Sequence, residues 1–311
     1  MNSTIEEFFS ENKINPDYRC GFVSVIGRPN VGKSTLINAI VGEKVSITSK
    51  KPQTTRDKIL GIRSDGACQC VFIDTPGFQT RHSNALIRSM NHSVRSAIAD
   101  NDAVVFVMES AGWREDDKKV LSLLDRNASN VILAINKIDR IENKNKLLPL
   151  IEASSRLFPF AHIVPVSAEK KIGTEELYST IASMLPKNPP FYDTEVYTDK
   201  TPRFMAAEII REKAFRLLGD ELPYGIAVKI ESWEETKSRA EITATLIVER
   251  EAHKAMVIGA KGEKLREISR LARLDIEKML AKSVYLEVWV RVKKGWSDDP
   301  AALTKLGYSE K

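Results

Sequence analysis

The stretch GRPNVGKS, residues 27–34, sets Gly27, Gly32, Lys33 and Ser34 at the spacing of a loop that wraps phosphate. Glycines let backbone N–H groups turn inward around phosphate oxygens, and a following helix adds the positive potential of its N-terminus. Lys33 can reach the β- and γ-phosphates, and the Ser34 hydroxyl can ligate Mg²⁺. The whole run of Gly27, Arg28, Pro29, Asn30, Val31, Gly32, Lys33, Ser34 and Thr35 is the candidate phosphate site.

Three further motifs choose the base and the class. In DTPG, Asp74 can hold Mg²⁺ through water and Gly77 can sense a γ-phosphate, with Thr75, Pro76 and Phe78 beside them. In NKID, the Asp139 carboxylate can accept both guanine N1–H and N2–H₂, a donor pair adenine lacks. Asn136 and Lys137 brace and cover that pocket, and Ser167 with Ala168 can bring a backbone N–H to the guanine O6. Each motif alone is weak. Their order, each at the end of an apolar strand, points to GTP and GDP rather than ATP. Mg²⁺ is expected on Ser34, Asp74 and a third hydroxyl.

That third hydroxyl is sought in SITSKKPQTTRD, residues 46–57, a polar loop of the kind ordered when γ-phosphate and Mg²⁺ are present. Thr55 is the candidate, with Thr54 as the alternative. Lys33, Thr55 and Gly77 form the candidate catalytic set. Where Ras-like GTPases carry a water-orienting glutamine after the DxxG glycine, this chain has Phe78, which has no hydrogen-bonding group. Slow intrinsic hydrolysis, or water positioned by another route, is expected.

A second glycine–lysine loop, GAKG at 259–262, cannot repeat the first. Its glycines are three apart, no Ser or Thr follows Lys261, and a helical stretch precedes it. Gly-x-x-Gly between two helices, after a strand pair and before a last strand, is the KH arrangement, whose loop clamps about four nucleotides. Ile258, Gly259, Ala260, Lys261, Gly262, Lys264 and Arg266 are the candidate RNA contacts. Met256, Ile258, Ile268 and Leu271 are expected to line an apolar groove for bases; Trp289 could stack a base, but strand alternation favours a packing role.

The elements that must hold these loops can be read in outline. GFVSVIG, CVFIDTPG, AVVFVME, NVILAINK and HIVPVSA are apolar strands with helical stretches between, which predicts a mainly parallel sheet covered by helices on both faces. LPKNPPFYDTEVYTDKTPR, with four prolines, reads as a linker. Beyond it the order is helix, strand, strand, helix, helix, strand. The expected organisation is an N-terminal extension (1–20), an α/β P-loop GTPase domain (21–185), a linker (186–202), an α+β type II KH domain (203–294) and a tail (295–311).

Composition narrows the class. The 311 residues carry a net charge of +5, yet residues 250–294 hold twelve basic and six acidic side chains, so the remainder is slightly acidic. Such a block suits a polyanion, RNA or anionic lipid. No stretch approaches the roughly 18 apolar residues of a membrane span. Glu6, Glu7 and Glu11 stand where a signal peptide needs basic and apolar residues, so a cytosolic protein is expected. Three cysteines make no disulfide framework, and Cys68 and Cys70 fit one face of a strand. An enzyme that uses GTP to drive RNA modification would need a further catalytic cluster, and none is visible after residue 185.

Together these residues resemble the Era family of GTPases. The match runs from about Gly21 through GRPNVGKSTLIN, SITSKKPQTTRD, DTPGF, NKID, VSA and IGAKGEKLREI to the tail GWSDDPAALTKLGY. The resemblance implies a bacterial assembly factor that binds 16S rRNA near its 3′ end during maturation of the 30S subunit. It also implies a cytoplasmic protein that can associate peripherally with the inner membrane; a monomer is expected. Among GTPases of this kind that lack the glutamine, an asparagine at the place of Asn30 helps hold K⁺ near the β–γ bridge.

Overall fold

The computed structural model describes residues 15–49, 51, 54–78, 85–99, 101–218, 225–306 and 308. Most of the 1–20 extension lies outside them, as do Lys50, Pro52 and Gln53 of the 46–57 loop. The described residues fall into two compact units. Those within 1–46, 58–81 and 90–199 form the first; those within 47–57, 82–89 and 200–311 form the second.

The first unit is a six-stranded sheet in the order β2-β3-β1-β4-β5-β6. Its strands are β1 (Arg19–Ile26), β2 (Ile59–Ser64), β3 (Cys68–Asp74), β4 (Ala103–Glu109), β5 (Val131–Asn136) and β6 (His162–Pro165). All neighbours are parallel except β2 and β3. Every residue of β3 and β5 is buried, the signature of strands covered on both faces. Alternation then sends side chains to opposite cores. Val105 and Val107 of β4 and Ala134 of β5 join a cluster with Leu36 and Ile37 of α1 (Lys33–Val41) and Leu177 and Ile181 of α5 (Thr174–Met184). Phe106 and Met108 with Leu133 and Ile135 join the other, against Val94 of α2 (Ala85–Ala99), Val120 of α3 (Glu115–Leu121) and Ile151 of α4 (Leu147–Leu157). Helices thus cover both faces, as expected.

Strand β2 was not among the expected strands, and it is the one antiparallel member. The proline-containing segment after α5 is also more fastened than a free linker. The buried amide of Gln69 accepts from the N–H groups of Phe191 (2.7 Å) and Tyr192 (3.0 Å) and donates to the Tyr192 carbonyl (2.8 Å). Cys68 and Cys70 are buried thiols with Sγ atoms 3.7 Å apart, on one face of β3 as expected.

The second unit has α6 (Pro202–Leu217), β7 (Ala227–Glu235), β8 (Arg239–Val248), α7 (Glu251–Ile258), α8 (Glu263–Leu280), β9 (Ser283–Val292) and α9 (Pro300–Lys305). The order helix, strand, strand, helix, helix, strand matches the sequence reading. β8 pairs antiparallel with β7 and parallel with β9. Thr201 starts α6 by accepting from the Phe204 N–H at 3.2 Å, with Pro202 at the first helical position. Ile209, Ile210 and Phe215 of α6 pack with Ile268, Ala272 and Ile276 of α8 on the sheet.

Two sequence assignments are corrected here. Ile268 is fully buried in that core rather than lining a groove, because it shares the i, i+4, i+8 stripe of Ala272 and Ile276. Trp289 is 59% exposed rather than packed, because it sits in strand phase with Glu287 and Arg291.

The segment 47–57 belongs to this second unit. Arg211 donates to the Thr54 carbonyl, Lys51 to the Leu218 carbonyl, and Arg56 to the Ile226 carbonyl at 2.6 Å. The Arg56 guanidinium lies 5.7 Å from each of the ring centroids of Phe215, Trp296 and Tyr308, and burial pushes its pKa down to about 10. Trp296 is fully buried, and truncating a ring packed like this to alanine costs ~3–5 kcal/mol. Among the described residues, no helix is long and apolar enough to cross a membrane.

Candidate functional site

In the first unit the motifs converge at the carboxyl ends of β1, β3 and β5, where ligands bind in open parallel sheets. The loop 27–32 turns from β1 into α1 with Gly27 at φ 151°, Asn30 at φ 67° and Gly32 at φ 99°. Gly32 is required for room as well as for its dihedral. A Cβ there would lie 2.4 Å from the Asn136 amide nitrogen. Lys33 is folded into the loop and donates to the carbonyls of Gly27 (3.0 Å) and Arg28 (3.1 Å). Burial holds its pKa down at about 8, so phosphate oxygens brought to the loop would favour its charged form.

The Ser34 hydroxyl donates to Asp74 Oδ2 at 2.7 Å, and Asp74 is fully buried. A hydroxyl and a carboxylate in direct contact are hard oxygen donors suited to Mg²⁺, which takes few protein ligands and keeps waters and phosphate oxygens for the rest. Thr75 donates to the Val25 carbonyl at 2.8 Å, which fixes DTPG on β1. A Cβ on Gly77 would fall 2.7 Å from Pro29, so the two loops are in close approach. Phe78 is half-buried and packs against the Phe106 cluster, a place for an apolar ring rather than for a group that aims water. Pro76, Val31 and Thr35 lie in the same loops and helix start.

Asn136 is the tie among the motifs. Its amide donates to the Val31 carbonyl (2.8 Å) and accepts from the N–H groups of Lys137 (2.7 Å) and Ala168 (3.0 Å). Phosphate loop, NKID and the Ser167–Ala168 strand end are thereby locked together. Ser167 donates to Asp139 Oδ1, which orients an exposed carboxylate beside the Lys137 turn. Lys137 stands at φ 65° and donates to the Asn30 carbonyl at 2.6 Å. Thr55 and Thr54 belong to the second unit, where Thr55 is buried.

Sequence reading passed over two carboxylates at this site. Glu109, the last residue of β4, accepts from both Lys137 and Arg28. Asp117 is fully buried, accepts from Arg28 Nε at 3.3 Å, and accepts from the Arg114 N–H at 3.0 Å at the start of α3. The one cue in the sequence is a glutamate closing an otherwise apolar strand.

In the second unit, GAKG joins α7 to α8 as a single tight turn. Gly259 (φ 70°), Lys261 (φ 49°) and Gly262 (φ 77°) all have positive φ, and Gly262 caps α8. Lys261, Lys264 and Arg266 are exposed, and among the described residues no ion pair involves them. Ala260 and Met256 are exposed, while Ile258 and Leu271 are half-buried. Backbone N–H groups at a helix start with three cations around them form an anion-facing surface.

Comparison with known proteins places both units. Residues 22–137 match a family model described as a 50S ribosome-binding GTPase, and residues 221–297 match a KH domain model. A GTPase Era from Marinobacter nauticus is 48% identical over 95% of this chain and 97% of its own length. One from Bordetella avium is 49% identical over 94% and 98%. The crystal structure of a point variant of Aquifex aeolicus Era bound to GDP·AlF₄⁻ superposes with a TM-score of 0.90 at 38% identity, covering 94% of this chain and all of that one. Era in complex with MgGDPNP and nucleotides 1506–1542 of 16S ribosomal RNA gives 0.91 at 37%, with the same coverage. With a GTP-hydrolysing unit followed by a KH domain along nearly its whole length, the chain belongs to the Era family of GTPases.

Proposed function

We propose that this GTPase is a switch that binds 16S rRNA near its 3′ end and assists assembly of the 30S subunit and rRNA maturation. The observation that carries the reading is the GAKG turn, with its positive-φ backbone and the exposed cations Lys261, Lys264 and Arg266, on a chain whose relative is held with 16S nucleotides 1506–1542. Residues 21–185 serve as the GTP-binding domain and 203–294 as the RNA-binding domain, with 186–202 between them.

In the first domain Lys33 and the loop 27–35 take the phosphates, and Asp139 with Asn136, Lys137, Ser167 and Ala168 takes the guanine. Ser34 and Asp74 hold Mg²⁺, with the hydroxyl of Thr55, or of Thr54, as the third ligand. Gly77 senses the γ-phosphate. Phe78 leaves hydrolysis slow, and K⁺ beside Asn30 offsets charge at the β–γ bridge. Hydrolysis several-fold faster in KCl than in NaCl is expected, and equal rates would remove K⁺ from the reading. The protein acts as a cytoplasmic monomer that can meet the inner membrane peripherally.

The test is a binding panel at one salt concentration, because phosphate contacts make affinity salt-dependent. A 16S 3′-end fragment, a tRNA and a scrambled oligomer are each titrated with a GTP analogue and with GDP. The fragment should bind about tenfold or more tighter than the scramble, since base contacts rather than phosphate contacts carry sequence. The analogue should strengthen it, and RNA should tighten the analogue by the same factor. Equal affinity for all three RNAs with no nucleotide effect, together with co-sedimentation on anionic liposomes that RNA does not compete away, would replace rRNA by lipid as the partner.

A further inference from the structure

Glu109 closes β4 directly beside Asn136 of β5, its partner in the parallel register. Its side chain is 14% exposed and its two oxygens are divided between two loops. Oε1 accepts from Lys137 Nζ and Oε2 from the Arg28 guanidinium, with Arg114 Nη2 a further 3.7 Å from Oε2. Burial pushes this carboxyl up, but the hydrogen bonds from Lys137 and Arg28 outweigh it and hold the pKa below the ordinary range, so the group is ionised at neutral pH.

The two cations are themselves constrained. Lys137 donates its second bond to the Asn30 carbonyl in the phosphate loop. Arg28, buried, is gripped on its other side by Asp117 and reaches the Pro29 carbonyl at 3.3 Å. One carboxylate therefore joins the residue that covers the base to the first turn of the loop that wraps the phosphates. A purely local ion pair would engage one partner; this one spans the two halves of the site.

We infer that Glu109 is a positioning residue for guanine-nucleotide binding. It acts through Lys137, whose alkyl stem it holds over the base, and through Arg28, whose backbone begins the phosphate loop. The inference rests on the reading of residues 27–34 and 136–139 as the nucleotide site. It predicts that base and phosphate recognition weaken together when the carboxylate is lost. GTP and GDP should suffer alike, because Glu109 is tied to Arg28, Lys137 and Arg114 and not to the DTPG residues read as sensing the γ-phosphate.

The experiment compares the full chain with Glu109→Gln, Glu109→Asp and the double variant Glu109→Gln/Lys137→Met. Nucleotide dissociation rates, KM and kcat for GTP, and thermal midpoints are measured for each. Glu109→Gln keeps the shape and loses the charge. It should raise KM and the GDP dissociation rate about tenfold, the scale of one charge-assisted hydrogen bond, while kcat falls less than threefold. Glu109→Asp should recover part of the loss. In the double variant the change at Glu109 should add less to the effect of Lys137→Met than it costs alone, because the Lys137 route is already gone and only the Arg28 route remains.

A Glu109→Gln protein whose KM and dissociation rate stay within twofold of the parent would overturn the inference. So would one whose midpoint and kcat drop in step with the rise in KM, which is the behaviour of a merely structural carboxylate. A parent protein that bound GDP no better than ADP would remove the site reading underneath, and the inference with it.

Discussion

Asp139→Asn should weaken GTP binding by about 10²–10³-fold and create affinity for xanthosine nucleotides, because it reverses one of two paired hydrogen bonds. The Asp139 carboxylate offers acceptors only, matched to the N1–H and N2–H₂ of guanine. Asparagine presents one acceptor and one N–H₂ donor, so the donor faces guanine N2–H₂ and both groups lose their partner. Xanthine carries a carbonyl at that position, and the same donor then meets an acceptor. The variant keeps the local geometry. Asp139 is exposed, its backbone lies in a short turn after Lys137, and the Ser167 hydroxyl can donate to an amide oxygen as it does to the carboxylate. Exposed substitutions of this type change stability by about 0.5 kcal/mol or less. Titrations with labelled GDP, XDP and ADP decide the matter. GDP affinity within threefold of the parent, or ADP bound as tightly as GDP, would put the base pocket elsewhere.

What the sequence disclosed, and what it hid, follows from how each residue is buried and what it touches. Strands β1, β3, β4 and β5 are legible because they lie inside the sheet and are largely covered on both faces, which favours runs of apolar residues; β6, an edge strand with only Val164 buried, shows through its short HIVP run. Strand β2 was not visible. ILGIRS is a short edge strand that follows a polar loop, so it needs fewer apolar residues and its pairing shows only in the register with β3. The segment after residue 185 reads as detached because it holds four prolines and little period, while the groups that fasten it, Gln69 in CQCVFID and the backbone of Cys20 and Ile62, are far away in sequence. Alternation alone does not say which phase of β9 is buried; Val284, Val288 and Val292 set the inward phase and leave Trp289 on the exposed one. The site divides in the same way. Lys33, Ser34, Asp74 and Asn136 announce themselves through motif spacing, since each must meet a fixed chemical target. Glu109 and Asp117 are held by Arg28, Lys137 and the Arg114 N–H, and a contact between β4, α3 and the phosphate loop leaves no local pattern. The placement of 47–57 in the second unit is likewise invisible, because Arg56 meets three rings that come from two distant segments.

Aspartates at Gly259 and Gly262 together should reduce RNA affinity by about 10²-fold or more, since like charges set against each other in an interface cost several kcal/mol. The two positions do not report the same thing. A Cβ on Gly259 would lie 2.7 Å from the Lys264 Cβ, so any side chain there forces the turn to shift and blurs the charge effect. Gly262 has open space around its Cβ position, and only its φ of 77° resists substitution. The left-handed strain is ~1–2 kcal/mol for an ordinary residue and less for Asn or Asp, whose short polar side chains bond locally. Gly262→Asn and Gly262→Asp therefore carry nearly the same strain and differ by one charge. The neutral variant should keep RNA affinity within about fivefold, whereas the acidic one should lose at least tenfold more, with a shallower dependence on salt. Thermal melts of both variants control for folding. If Gly262→Asp binds the 16S fragment as tightly as Gly262→Asn, no phosphate passes the turn, and Lys261, Lys264 and Arg266 are a solvated helix end rather than an RNA clamp.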